Sequence, residues 1–137
     1  MANEVTLEPV RRYHEASTTD KGVDAAAELL ADSLKTDLPV NAFADEQEFV
    51  KAIRGFGAHV LSARILSACA GTDEAIMIYD LVLDSIGAVT VSEQFTVAEG
   101  AISFIRQVRD TATMRVEDVH PHIATSFRAE PAGCRAC

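Results

Sequence analysis

The feature that most constrains the fold is a change of hydrophobic period near Leu61. Before this point, apolar positions recur every three or four residues, as on one face of a helix. After it, as far as Asp110, aliphatic and β-branched runs alternate with short breaks that combine Gly with an acidic residue, which is typical of successive antiparallel hairpins. Helices followed by a β-meander predict an α+β fold, and 137 residues fit one domain of this kind.

Three helices are predicted in the N-terminal part of the chain. The first runs from Leu7 to Ser17, and the second, rich in alanine, runs from Asp24 through Ala31. A brief strand from Ser33 to Leu38 follows. Asp45 then caps the third helix, and Glu48, three residues later, completes a capping box.

Charge and hydropathy exclude several classes of partner. The chain carries 12 Lys and Arg against 21 Asp and Glu, a formal net charge of −9. Nucleic acids and anionic lipid surfaces are recognised by clustered positive charge, so neither is expected as a partner. No stretch approaches the ~20 apolar residues of a membrane span, and the N-terminus is acidic where a signal peptide is basic. We expect a cytoplasmic protein with a single domain over residues 1–127 and a flexible tail over 128–137.

The strand AVTVSEQFTV, residues 88–97, places a carboxyl group in the middle of an apolar face. Its alternation puts Glu93 on the same side as Val91 and Phe95. An isolated ionised carboxylate in such a setting is costly, so Glu93 should either find a partner or keep its proton with a raised pKa. Glu93 is therefore the first candidate for a functional residue.

The neighbouring strand, AIMIYDLVL, presents different residues to Glu93 in two possible registers. If the hairpin has a two-residue loop, Ile78 pairs with Glu93 and Asp80 shares its face, where two acids in one cavity form an acid and base pair. If Gly87 forms a bulge after a type I turn, the faces swap and Tyr79 comes toward Glu93. The sequence leaves both registers open.

Residue types that bind zinc occur near the C-terminus, but their spacing is a weak signal. His120 and His122 precede Cys134 and Cys137, whereas paired cysteines normally join another structured pair in a zinc site. We expect no bound metal, and the lone Cys69 indicates no disulfide framework. The sequence also lacks a phosphate loop, a dinucleotide fingerprint and a nucleophile elbow, so no organic cofactor is expected.

Short helices, a brief strand and long hairpins resemble the nuclear transport factor 2-like superfamily over about residues 5–110. AAELLADSLKTDLP is similar to that family's second helix and first strand, and FTVAEGAISFIRQVRD is similar to its recurring hairpin with an acidic, Gly-containing turn. The resemblance implies a cone-shaped, curved antiparallel sheet wrapped around three N-terminal helices. It also implies an internal pocket for a small, largely apolar ligand.

Within the superfamily, the resemblance to ketosteroid isomerase implies roles for particular residues. It places Tyr13 of the first helix and a protonated Glu93 at the two positions that donate hydrogen bonds to the oxyanion. The general-base position falls on Leu38, and the adjacent Asp37 lies on the opposite face of an ideal strand. We expect Asp80 to move the proton, with Asp37 as the less favoured alternative.

Candidate ligand-binding residues lie on the same elements: His14, Leu38, Ile78, Phe95, Gln107 and Arg109. By the same alignment, Gln107 and Arg109 of the last strand point into the pocket. Arg109 would pair with Glu93, bind an anionic ligand group, or lie at a solvated rim.

The resemblance implies a SnoaL-like isomerase, cyclase or hydrolase that acts on an apolar carbonyl or polycyclic compound by cofactor-free acid-base chemistry. The alternative is a non-catalytic ligand-binding or dimerisation domain of the same fold. A homodimer is expected through the outer sheet face, where Met77, Tyr79 and Leu81 would form an apolar patch beside Ser92 and Gln94.

Overall fold

The order of helices and strands follows the change of period in the sequence. The computed structural model describes residues 2–39 and 43–109. The elements are α1 (Ala2–Ser17), α2 (Val23–Ala27), β1 (Leu30–Asp37), α3 (Glu46–Ile53), a 3₁₀ turn (Phe56–His59), β2 (Val60–Ala70), β3 (Glu74–Leu83), β4 (Gly87–Ala98) and β5 (Ala101–Arg109). The strand period thus begins at Val60, one residue before the predicted change.

The five strands form one curved sheet in the order β1-β5-β4-β3-β2. Strands β2 to β5 are successive antiparallel hairpins, and β1 joins the sheet beside β5 in parallel. The backbone N–H of Ile102 donates to the carbonyl of Leu29 at 2.8 Å where that parallel pairing begins. The α+β fold with a curved sheet is confirmed, with one parallel pair at its edge.

The first two helices differ from the predicted ranges. α1 begins at Ala2 rather than Leu7 and contains Pro9, which removes one backbone hydrogen bond. Leu7 and Val10 of this longer helix are buried against the sheet, and their packing stabilises it. α2 ends at Ala27 rather than Ala31, because Leu30 and the residues after it belong to β1.

A bulge in β1 explains why part of this strand was predicted as helix. Leu30 and Leu34 are both buried, and their spacing of four residues is typical of a helix. In the structure, the register of β1 against β5 shifts between Leu30 and Lys35, so extra residues lie between the two inward-facing leucines.

The capped start of α3 agrees with the sequence. The Asp45 carboxylate accepts a hydrogen bond from the backbone N–H of Glu48 at 2.9 Å. The Glu48 side chain accepts in turn from the backbone N–H of Ala44 at 3.3 Å. This cap fixes where α3 begins and directs Phe49 into the core.

The hairpin between β3 and β4 adopts the second of the two predicted registers. Leu83 pairs with Gly87, which has a φ of +83°, a conformation that glycine adopts without a steric penalty. Met77 consequently pairs with Glu93, and Tyr79 faces the same side of the sheet. Met77, Tyr79 and Leu81 are buried there.

This register corrects two site predictions. Ile78 and Asp80 lie on the outer face of the sheet, opposite Glu93, so the prediction that they share its pocket is wrong. The Asp80 carboxylate accepts hydrogen bonds from the hydroxyl of Thr90 at 2.6 Å and from Arg64 at 3.5 Å. Asp80 therefore belongs to the outer surface.

The predicted dimer patch is also composed of different residues. Met77, Tyr79 and Leu81 are core residues, whereas Ile76 and Ile78 are 44% and 37% exposed on the outer face. The homodimer stays a prediction, and these two isoleucines would replace the predicted ones in its patch.

Several other predictions concern parts of the chain outside the described residues. The domain boundary at residue 127, the tail, and the pairs His120, His122 and Cys134, Cys137 all lie there. Over residues 2–39 and 43–109, no helix has both the length and the apolar character needed to cross a membrane.

Candidate functional site

A cavity of about 170 Å³ lies between the helices and the inner face of the sheet. Residues of α1, α3, β3, β4 and β5 line it. Its apolar wall includes Leu38, Phe43, Phe49, Phe56, Leu81 and Val91. Its polar groups include Tyr13, Tyr79, Glu93, Gln107 and Arg109. Such a combination of apolar walls and few polar groups is typical of a small-molecule site.

Glu93 is the carboxyl group of this cavity. Its side chain is 5% exposed. One carboxyl oxygen, Oε1, accepts a hydrogen bond from the Tyr79 hydroxyl at 2.8 Å, and Oε2 accepts from the Gln107 amide at 3.2 Å. Strand pairing positions both donors, because Gln107 pairs directly with Glu93 on β5 and Tyr79 faces the same side on β3.

The surroundings of Glu93 favour its neutral form. Burial raises the pKa of Glu93, and the hydrogen bonds from Tyr79 and Gln107 and the charge of Arg109 offset only part of that effect. The ion pairs found within residues 2–39 and 43–109 include none between Glu93 and Arg109. Burial thus shifts Glu93 toward the protonated acid, while the two accepted hydrogen bonds shift it toward the carboxylate.

Glu93→Gln is expected to stabilise the protein at pH 8 and to have less effect at pH 5. The folded pKa is raised, so the protonated carboxyl contributes stability below the unfolded pKa of ~4.3, and this contribution is lost as pH rises through the folded pKa. Glutamine stays uncharged and still accepts from Tyr79. For each unit by which folding raises the pKa of Glu93, the wild type loses about 1.4 kcal/mol of folding free energy at pH 8, and the glutamine variant avoids this loss.

Thermal melts of the variant and the wild type at both pH values test this expectation. Glu74→Gln, at an exposed position of β3, is the matched control and should show no such pH-dependent difference. Destabilisation of Glu93→Gln by about 3 kcal/mol at pH 8 would instead indicate an ionised Glu93 paired with a buried cation.

Two buried tyrosines supply hydroxyl groups to the cavity. Burial, and secondly the nearby Glu93, raise the pKa of Tyr13 well above 10.0, while a hydrogen bond with Ser17 opposes this shift. Burial and Glu93 likewise raise the pKa of Tyr79 well above 10.0. Both hydroxyls therefore keep their protons at neutral pH and can donate hydrogen bonds. The sequence suggested Tyr79 in one register, but the set of predicted site residues did not include it.

His14 and Phe95 support the tyrosines from outside the cavity. The Phe95 ring is fully buried and meets Tyr13 edge to face, with ring centroids 5.9 Å apart. The His14 ring packs against Tyr79 at 4.4 Å, and burial lowers the pKa of His14, an effect that Glu15 opposes. His14 lines a separate groove between α1 and β2, so neither predicted ligand-binding residue lines the cavity.

Arg109 lines the cavity at the end of β5. Its Nε is buried and has no hydrogen-bond partner among the described residues. Burial lowers the pKa of Arg109, whereas Tyr79 and Glu93 oppose the shift. Leu38 and Gln107 also line the cavity, and their role in ligand binding stays a prediction.

Within the described residues, Glu93 is the only carboxyl group that lines this cavity. Asp37 accepts a hydrogen bond from Arg106 at 2.9 Å on the outer face, and Asp80 lies on that face as well. The part of the chain that the structure describes has no group of three or more His, Cys, Asp or Glu residues suited to a metal ion. The cavity thus combines one proton-carrying group with several hydrogen-bond donors.

Comparison with known proteins rests on structure. No protein-family model and no curated protein matches the chain. A protein from Kribbella flavida DSM 17836 is 22% identical, with a TM-score of 0.75 over 80% of this chain and 90% of the other. A protein with a ketosteroid isomerase-like fold from Catenulispora acidiphila DSM 44928, in complex with trimethylamine, is 13% identical, with a TM-score of 0.66 over 85% and 96% of the two chains. A candidate SnoaL-like polyketide cyclase from Jannaschia sp. CCS1 is 15% identical, with a TM-score of 0.63 over 94% and 95%.

The chain has the nuclear transport factor 2-like fold. The resemblance inferred from the sequence is therefore confirmed for the fold. In this nuclear transport factor 2-like fold, the cavity bounded by helices and sheet is the place where Tyr13, Tyr79, Glu93 and Arg109 come together. The fold accommodates many functions, so the chemistry must be argued from these side chains.

Proposed function

We propose that the protein isomerises a compact, largely apolar carbonyl compound in this cavity by cofactor-free proton transfer. One observation supports the proposal above others: Glu93, the one carboxyl group among the described residues that line this apolar cavity, is held by Tyr79 and Gln107. Neighbours of the same fold include a candidate SnoaL-like cyclase and a protein bound to the small molecule trimethylamine.

Glu93 takes the role of proton carrier that the sequence analysis gave to Asp80. In its ionised form, Glu93 removes a proton from the carbon next to the carbonyl group, and the electron pair moves to the carbonyl oxygen. In a substrate with a carbon–carbon double bond beyond that carbon, the protonated Glu93 then returns the proton to the far end of the double bond while the electron pair moves back from the oxygen. The double bond shifts next to the carbonyl group, so the reaction is balanced. A carboxyl group whose pKa is raised suits this task near neutral pH.

Tyr13 is proposed to stabilise the negative charge that develops on the substrate oxygen. Its hydroxyl stays protonated, lies in the cavity wall and is held by the packing of Phe95. Tyr79 and Gln107 hold the two oxygens of Glu93 and are therefore positioning residues.

The cavity volume restricts the substrate class. An engineered cavity of roughly 150 Å³ binds benzene, so about 170 Å³ corresponds to a molecule with one ring. Of the two substrate classes expected from the resemblance, this volume favours a small apolar carbonyl compound over a polycyclic compound. A homodimer remains an expectation beside this proposal.

The wild-type protein is expected to catalyse exchange of the α-hydrogens of cyclohexanone with deuterium in D₂O, followed by NMR. Glu93→Gln should lose about 100-fold or more of this rate, because a general base contributes roughly that much. Asp80→Asn is the matched control and should retain the rate, because Asp80 lies on the outer face. Equal exchange by the wild type and Glu93→Gln would reject the proposal.

The second candidate function is ligand binding without catalysis. It is supported by the presence of one carboxyl group among the lining residues that the structure describes, since many acid-base enzymes use two titrating groups. If NMR shows that cyclohexanone binds to the wild type and to Glu93→Gln without exchange in either, this second function holds.

A further inference from the structure

The Arg109 guanidinium is a cation of the cavity that neither the fold nor the proposed proton transfer uses. Arg54, Arg64 and Arg106 each pair with an aspartate on the protein surface. Arg109 instead lines the cavity, and its buried Nε has no partner among the described residues. A buried polar group of this kind normally has a hydrogen-bond partner, and a ligand oxygen would supply the acceptor that the described residues do not.

We propose that Arg109 binds the carboxylate of a short anionic ligand, and that a ligand of this class binds together with a proton held by Glu93. The proposal rests on the proposed function, because it names the substrate class of the same cavity. A guanidinium presents several N–H donors in one plane and matches a carboxylate better than it matches a single carbonyl oxygen.

The charges around Glu93 support this coupling between anion binding at Arg109 and protonation of Glu93. The groups that face it are Tyr13 from α1, Tyr79 from β3, and Gln107 and Arg109 from β5, while His14 of α1 lies outside the cavity and contacts Tyr79. The tyrosines keep their protons, and burial lowers the pKa of His14, so these groups are neutral near pH 7. When Glu93 is protonated, the positive charge of Arg109 is therefore the net charge of these cavity groups.

A ligand carboxylate on Arg109 would place a second negative group near Glu93. Like charges in a cavity disfavour ionisation, so the bound anion raises the pKa of Glu93 further. By linkage, anion binding is stronger where Glu93 is protonated and weakens as pH rises. The prediction is a ligand affinity that depends on pH through one buried carboxyl group.

A short 2-oxo carboxylate combines this anion site with the proposed chemistry. The cavity corresponds to the volume of about five or six water molecules, which suits a short chain. Proton transfer would proceed through the fraction of complexes in which Glu93 is ionised: Glu93 takes a proton from the carbon next to the oxo group, the electron pair moves to the oxo oxygen, and the same proton returns to that oxygen. The net reaction is enolisation, with no other reactant.

NMR-monitored titrations with butyrate and butyramide test the anion site. Both probes have similar shape, and only butyrate is charged. The wild type should bind butyrate at least about tenfold more tightly than butyramide at pH 6.5. Arg109→Met should remove this preference, Arg109→Lys should retain part of it, and Arg106→Met, on the outer face of the same strand, should leave it unchanged. Equal binding of the two probes by the wild type would overturn the proposal without any variant.

The coupling is tested by repeating the butyrate titration at pH 8.5, where butyrate is still ionised. The wild-type affinity should fall by several-fold or more between pH 6.5 and 8.5. Glu93→Gln should bind butyrate with an affinity that changes little over this range. A pH dependence that persists in Glu93→Gln would reject the coupling. Since these are binding measurements, failure of deuterium exchange leaves the anion site standing, and exchange without a preference for butyrate rejects the anion site alone.

Discussion

Met77→Asp is expected to destabilise the protein strongly at neutral pH, whereas the same substitution at the next residue, Ile78→Asp, should have little effect on stability. Met77 is fully buried and pairs with Glu93, so the variant would place a second carboxyl group beside the first. An uncompensated buried charge destabilises by about 3–5 kcal/mol, a large part of the free energy of unfolding of a typical domain. Ile78 is 37% exposed on the outer face, where a carboxylate stays hydrated.

Circular dichroism and urea unfolding of the two variants measure this difference directly. The pair forms its own control, because the substituted positions are adjacent and the new residue is the same. If Ile78→Asp were the more damaging change, the hairpin would have the other register, and Asp80 rather than Tyr79 would share the face of Glu93.

Phe95→Ala should cost about 3–5 kcal/mol of stability. The ring is fully buried on β4 and packs edge to face against Tyr13 at 5.9 Å, so its removal leaves a cavity behind the tyrosine. We also expect weaker ligand binding, because Tyr13 would lose the contact that orients its hydroxyl. Thermal and urea unfolding, together with the butyrate titration, test both effects.

Phe104→Ala is the matched control for this substitution. Phe104 lies on the outer face of β5, where the Arg106 guanidinium is 5.2 Å from its ring centroid. Loss of this surface contact should cost about 1 kcal/mol. If the two alanine variants were equally destabilised, the face assignment of these strands would be contradicted.

The face of Glu93 could be predicted from the sequence, but the residue opposite it could not. The alternation of β4 places Glu93 among apolar residues whatever its neighbour is. The facing residue depends on the number of residues in the hairpin loop, and one residue more or less exchanges Asp80 for Tyr79. The positive φ of Gly87, which decides the register, belongs to the backbone and is only suggested by the presence of glycine.

The helix side of the site shows a second limit of sequence reasoning. Tyr13 and His14 are consecutive, and consecutive helical residues point about 100° apart, so the two side chains do not share one direction. Tyr13 lines the cavity, and His14 lies in the groove beside β2. Gln107 and Arg109 both line the cavity, because two residues of separation on a regular strand keep them on one face, and their role in ligand binding stays a prediction.

The parallel pairing of β1 with β5 has a consequence for the order of folding. The hairpins from β2 to β5 join neighbouring segments, whereas β1 must wait for the last described strand before it can pair. Contacts so distant along the chain form slowly, because closing a long loop reduces conformational entropy before any contact is gained. During synthesis, Gln107 and Arg109 emerge after every other group of the cavity. The cavity is therefore completed in a late folding step, and until then the unpaired edge of β5 is open to association with other chains.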